Sequence, residues 1–160
     1  MTKILIILAT LVFSLPTQAK DVYFDGLVDE KIATTTIKSL APGDRLILNS
    51  SGGNLQAAYR LSEFIRANLV NTHVNSTGRC QSACVLIYAA GVQRTAGMNS
   101  MFFLHIVRDS KGNGDTSATI EYLGQLMKYG MNKNITLIPI VEDTINLDYA
   151  TAKFVGLVTK

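Results

Sequence analysis

Thr77-Gly78-Arg79-Cys80-Gln81-Ser82-Ala83-Cys84 runs directly into an apolar stretch from Val85 to Gly91. Glycine and small polar residues predict a tight turn here. From Ala83 to Ala90 the only polar side-chain group is the Tyr88 hydroxyl, and a helix that is apolar all round is buried all round. The stretch therefore predicts a turn feeding a central helix, with Ser82 at the junction. Downstream, Val92 to Thr95 and Ser100 to Leu104 read as short strands, the second ending on His105, 23 residues after Ser82. Upstream, Leu46-Ile47-Leu48-Asn49-Ser50-Ser51-Gly52-Gly53 is an apolar strand entering a Gly-Gly turn ahead of another helix.

The rest of the chain follows the same alternation. Val22-Tyr23-Phe24 and Gly26-Leu27-Val28 predict a first strand, and Asp29 caps a helix reaching Leu40. Ala41 to Asp44 is a turn, and Arg45 to Leu48 is a second strand. Asn54 caps a helix with Ala57, Leu61, Phe64, Ile65 and Leu69 at helical spacing. Thr72 to Asn75 is a third strand. Polar, glycine-rich Asp109 to Asp115 reads as a loop, and Thr116 to Tyr129 as a helix burying Ile120, Leu123, Leu126 and Met127. Asn134 to Val141 is ambiguous because Pro139 interrupts it. Asp148 caps a last helix that ends at Gly156. Strands alternating with helices imply an α/β fold with a mainly parallel sheet.

Residues 1–19 stand apart. Lys3 is a short positive segment, Ile4 to Leu15 is almost continuously apolar, Pro16 breaks the run, and Thr17-Gln18-Ala19 supplies a small residue for cleavage. This pattern predicts a secretory signal peptide. An apolar run of about 12 residues is short of the ~20 needed to span a bilayer, so no stable membrane anchor is expected after cleavage. Residues 20–160 make one domain, and the destination is periplasmic or secreted. Removing Lys3 takes the net charge from +3 to +2, too mild a balance for a nucleic-acid footprint. Cys80 and Cys84 would meet an oxidising compartment. They could bridge around Ser82 or remain two buried thiols.

Ser82, His105 and Gly52-Gly53 are the parts of an acyl-transfer site. Each also has a plainer reading. A serine at such a junction is usually a helix cap, a Gly-Gly pair is often only a turn, and a histidine at a strand end commonly packs. His73, in mid-strand, reads as structural or exposed. Neither histidine has partners at metal-ligand spacing, and a lone Cys-x3-Cys pair makes a poor zinc site.

In this order the motifs resemble those of the proteolytic subunit of Clp proteases, in the Clp/crotonase superfamily. Asn49-Ser50-Ser51-Gly52-Gly53 is similar to that family's oxyanion loop. Gly78-Arg79-Cys80-Gln81-Ser82 is similar to its nucleophile turn, and Asn99 to His105 to the segment bearing its histidine. The resemblance spans about Arg45 to His105, with an echo in Ala152-x3-Gly156-Leu157-Val158. It implies a ββα spiral, Ser82 as nucleophile, His105 as general base, and the Gly53 and Ala83 amides as the oxyanion hole. Gly53→Ala would then crowd the oxyanion while leaving Ser82 in place. The family's acid falls by count on Thr144. Asp143 is the adjacent candidate, and Asp148 lies nearer the last helix. The implied activity is a serine peptidase that needs no cofactor and forms a homo-oligomer. Secretion removes an ATP-driven unfoldase, so the expected substrate is a peptide or unfolded protein. The alternative is a catalytically inactive binding or assembly module. An acyl-CoA enzyme of the crotonase type is disfavoured, because no Asp or Glu lies near either glycine or serine motif.

Overall fold

Asp29, Asn54, Asp115 and Asp148 each end an extended segment and start a helix. Their side-chain oxygens accept the N–H groups of Ile32 (2.7 Å), Ala57 (2.9 Å), Ala118 (2.9 Å) and Thr151 (2.8 Å). Each such cap satisfies an amide that the helix itself cannot. The computed structural model describes residues 18–132 and 144–160. Its elements are β1 (Asp21–Asp25), α1 (Glu30–Ser39), β2 (Arg45–Asn49), α2 (Leu55–Ala67), β3 (Asn71–Val74), β4 (Arg79–Gln81) and α3 (Ala83–Ala89). They continue with β5 (Arg94–Ala96), β6 (Met101–Leu104), α4 (Thr116–Lys128), β7 (Ile145–Leu147) and α5 (Tyr149–Phe154).

The architecture is α/β, with a mainly parallel sheet. One sheet has the order β1-β2-β3-β5 with every described pairing parallel. A second has the order β4-β6-β7, parallel between β4 and β6 and antiparallel between β6 and β7. One face of the parallel sheet is buried throughout by Phe24, Leu46, Leu48, Thr72 and Val74; on the other Tyr23, Arg45 and Asn49 are exposed, although Ile47 between them is also buried. The helices α1 and α2, which connect neighbouring parallel strands, pack against each other.

The two sheets meet at one bridge. Ser50 donates its N–H to the Arg79 carbonyl (2.8 Å) and accepts from the Gln81 N–H (3.0 Å). β3 leaves the first sheet and β4 enters the second, and β5 and β6 repeat the move. α3 is enclosed between these layers with all seven residues buried. Tyr88, its one polar group, donates its hydroxyl to the Thr95 carbonyl (3.1 Å).

Several expectations need correction. Arg79–Gln81 is a strand rather than part of the turn, because Ser50 and β6 supply partners on both sides. β1 stops at Asp25, and Gly26 turns at φ +102°. On α4, Leu126 is buried and Leu123 packs against the core as expected, but Ile120 is 66% exposed and Met127 37% exposed, and Thr119 and Tyr122 are buried in their stead. Leu69 lies beyond the end of α2, at φ +55°, and is exposed. Val92 and Gln93 precede β5, and β7 has no counterpart among the expected strands. The signal-peptide reading of residues 1–19 and the ambiguous stretch Asn134 to Val141 fall almost wholly outside the described residues. Among the described residues no helix is long and apolar enough to cross a membrane.

Buried tyrosines, Tyr129 among them, give the fold a testable alkaline limit. Burial pushes the Tyr59 phenol up to about 12, with Glu121 and Tyr129 adding to the shift. Burial also raises Tyr88 and Tyr122. A group whose folded pKa exceeds its unfolded value of about 10 stabilises fully below that value and loses this contribution as pH rises through the folded one. The urea midpoint should hold up to about pH 10 and fall steadily from there toward 12. A midpoint unchanged at about pH 11.5 would contradict the burial of these phenols.

Candidate active site

α3 is the exception among the capped helices. Ser82 occupies its N-cap position, yet the hydroxyl makes no capping bond and no hydrogen bond to any described residue. Its backbone is at φ +52°, ψ −120°, a region that costs a non-glycine residue about 1–3 kcal/mol. The plain reading of Ser82 as a helix cap is therefore set aside by the geometry.

The strain is held in place from several sides. The Ser82 N–H donates to the Phe103 carbonyl at the end of β6 (2.8 Å). The Ser82 carbonyl accepts the Tyr122 hydroxyl from α4 (3.0 Å). A disulfide joins Cys80 to Cys84 across the turn, with both residues fully buried and their Cα atoms 5.2 Å apart. Closing so short a loop is worth about 2 kcal/mol in the chain-entropy account, of the same order as the strain.

Gly52 presses on the turn from the other side. A Cβ at Gly52 would lie 2.6 Å from the Gln81 carbonyl oxygen, 2.9 Å from Ser82 Cβ and 3.2 Å from the Ala83 nitrogen. Gly53 contacts a different wall: an added Cβ there would strike the Val28 carbonyl. Gly53→Ala would thus push apart the bridge to Val28, and simple crowding of an oxyanion is not the expected result. The glycine whose bare α-carbon faces the serine is Gly52. Gly52→Ala, strained further by φ +86°, should lower both stability and any Ser82 reactivity; retention of both would show that the turn yields.

Two amides remain free to meet a substrate oxygen. The Val28 bridge uses the Gly52 carbonyl (2.8 Å) and the Asn54 N–H (2.8 Å), leaving the Gly53 N–H between them out of the pairing. Ala83 is the first residue of α3, so its N–H has no intrahelical acceptor. The positive end of the helix dipole lies there as well.

His105 follows directly on β6. Its Nδ1 is 2.6 Å from the Ile106 carbonyl oxygen. A carbonyl only accepts, so Nδ1 carries the hydrogen and Nε2 is the basic nitrogen. Ser82, His105 and Gly53 line one cleft of about 590 Å³, within the usual range for small-ligand sites, together with Leu55, Val107 and Asp109. No direct hydrogen bond joins the serine to the imidazole, a looseness common in empty sites.

Asp148 is committed to capping α5 and is exposed, and the Thr151 amide it binds holds its carboxyl below the usual range. Asp143 lies outside the described residues. His73 is across the parallel sheet, bonded through Nδ1 to the Thr95 hydroxyl (2.7 Å), with burial lowering its pKa. The polar loop after β6 is folded on itself. Asp109 accepts the Asn113 N–H (2.9 Å), the Asn113 side-chain amide (3.2 Å) and the Lys111 N–H (2.8 Å), which depress its pKa. Among the described residues no three His, Cys, Asp or Glu side chains cluster to hold a metal.

Sequence reading missed Tyr122 and the Ile106 carbonyl. A tyrosine on the buried side of a helix needs a partner for its hydroxyl, and that signal was available for Tyr122. The carbonyl carries no side-chain signal. Compared with protein-family models and with curated proteins, the chain matches none.

Proposed function

We propose that this protein is a serine hydrolase acting on peptide bonds, with Ser82 as nucleophile and His105 as general base. The observation that carries the reading is the Ser82 hydroxyl. It sits on a strained backbone at a helix start, is released from capping, and opens into the cleft that His105 lines. In the proposed reaction Ser82 Oγ attacks the substrate carbonyl carbon as its proton passes to His105 Nε2. The Ala83 and Gly53 amides receive the oxyanion. The imidazolium then protonates the leaving amine, and water releases the acyl group by the same path reversed. The Ile106 carbonyl orients the imidazole, the role an acid fills in a triad.

The finer fold reading belongs here too. Two consecutive ββα units, β3-β4-α3 and β5-β6-α4, with matching strands adjacent in each sheet, support a Clp/crotonase-like spiral. Residues 1–19 are proposed as a signal peptide and the mature protein as periplasmic or secreted; the Cys80–Cys84 disulfide accords with an oxidising compartment. The substrate is proposed to be a peptide or unfolded protein, and the assembly a homo-oligomer, which sedimentation would test.

The lack of a Ser82–His105 hydrogen bond favours the second reading, a binding module that performs no reaction. A labelled fluorophosphonate separates the two. Peptide mapping should find the label on Ser82, and Ser82→Ala should abolish it. Because the hydroxyl caps nothing, that substitution should leave stability unchanged within about 0.5 kcal/mol. A folded, oxidised wild type that takes no label would leave the binding module as the reading.

A further inference from the structure

We propose that the Cys80–Cys84 disulfide is a positioning device for Ser82, holding it in its strained conformation so that the nucleophile is competent only in the oxidised protein. The inference rests on the hydrolase reading for its activity readout, though not for its conformational one.

The geometry leaves Ser82 alone to make the reversal. Extended chain advances about 3.3 Å per residue, so the two extended steps from Cys80 to Ser82 alone span about 6.6 Å, and Cys84 comes back beside Cys80 only because the chain reverses between strand and helix. The observed separation is 5.2 Å. Residues 79–81 stay extended, because β4 pairs with Ser50 on one side and β6 on the other. Helix begins at Ala83. The whole change of direction falls on Ser82, at φ +52°. The bond spans two residues on either side of the serine, so any relaxation of that φ must move one sulfur relative to the other. Without the bond, Ser82 can return to an ordinary capping conformation, φ negative, with its hydroxyl turned onto the free amides of the first turn of α3. That movement would both withdraw the nucleophile and occupy the turn.

Breaking the bond needs a reductant. A thiolate of a small dithiol attacks one sulfur and displaces the other as thiolate. The second thiol of the reagent then closes, giving two protein thiols and one oxidised reagent. Both cysteines are fully buried, so exchange should be slow in the native protein and complete only after prolonged incubation.

The test compares the oxidised protein, the dithiol-reduced protein after removal of reagent, and the double variant Cys80→Ala/Cys84→Ala. All are held well below their melting temperatures. Two quantities are read: the fluorophosphonate labelling rate, and the Ser82 amide and Cα resonances, which report φ. The expected result is folded protein in every case, labelling slowed about 10²-fold without the bond, Ser82 resonances shifted toward those of a negative φ, and recovery of both on reoxidation. Unchanged Ser82 resonances, or an unchanged labelling rate, in the reduced protein or the variant would overturn the proposal. If the variant does not fold, the reduced wild type carries the comparison. An oxidised wild type that takes no label would overturn the hydrolase reading alone, since the resonances still decide whether the bond holds Ser82.

Discussion

His105→Ala is expected to slow phosphonylation of Ser82 by about 10²–10⁴-fold, the usual span for losing a positioned general base. A serine hydroxyl is a weak nucleophile near neutral pH and needs a neighbouring base. Among the described residues, His105 is the histidine that lines the cleft with Ser82. Its ring is already held in the tautomer that proton transfer requires. Nδ1 is committed to the Ile106 carbonyl at 2.6 Å, which leaves Nε2 to accept the proton. His73→Ala provides the control, because that imidazole is held by Thr95 on the other side of the architecture. It should label at the wild-type rate. If His105→Ala labels as fast as wild type, then the serine is activated by something else and the assignment of the base fails.

Arg94→Met is expected to cost about 5 kcal/mol, a large part of the roughly 5–15 kcal/mol that holds a typical domain. Arg94 is 4% exposed and lies where three helices end. Its guanidinium donates to the carbonyls of Leu157 (2.8 Å), Gly156 (2.9 Å), Tyr129 (3.0 Å), Gly91 (3.1 Å) and Ala89 (3.3 Å). These are orphan carbonyls at or just after the C-terminal ends of α3, α4 and α5, the negative ends of their dipoles. Burial lowers the Arg94 pKa, and Arg66 nearby adds to that. Carbonyl dipoles on several sides compensate the buried charge. Methionine would fill much of the volume and leave the carbonyls bare, at about 1–3 kcal/mol for each that finds no other donor. Arg66 already reaches Ala89 and Tyr129 (3.3 Å each), so those two keep a partner and Gly91, Gly156 and Leu157 do not. Lysine should rescue little, because one ammonium cannot reproduce the planar fork. Urea unfolding gives the number; a loss below about 1 kcal/mol would mean that water replaces the guanidinium without difficulty.

Local chemistry made much of this fold legible. Asp29, Asn54 and Asp148 announce helix starts because an oxygen on a short side chain reaches an orphan amide within three residues. The apolar run from Ala83 declares burial by having no face to offer water. The Gly-Gly turn and the serine junction are equally local, and both lie where their types and order suggested.

Other features depended on partners distant in sequence. Arg79–Gln81 has turn-like residues, and it is a strand because Ser50 and Phe102 stand beside it. Ile120 and Met127 have core-type side chains at helical spacing, yet the neighbours of α4 cover the stripe through Thr119, Tyr122, Leu123 and Leu126 and leave those two at its margin. The hydrophobic pattern says that a helix has an apolar side; the packing of the other layers says how wide that side is. No neighbouring residue type marks Arg94 as buried; three helix ends converging on it make it so. The site divides in the same way. Sequence alone identified which serine, histidine, glycines and cysteines to examine, since each is a residue type with its own chemistry. Only the tertiary structure decided that Ser82 is strained and uncapped, that the cysteines are bonded across it, and that a backbone carbonyl orients His105. Backbone angles and carbonyl directions are set by the sum of contacts around them, and no side chain records them in advance.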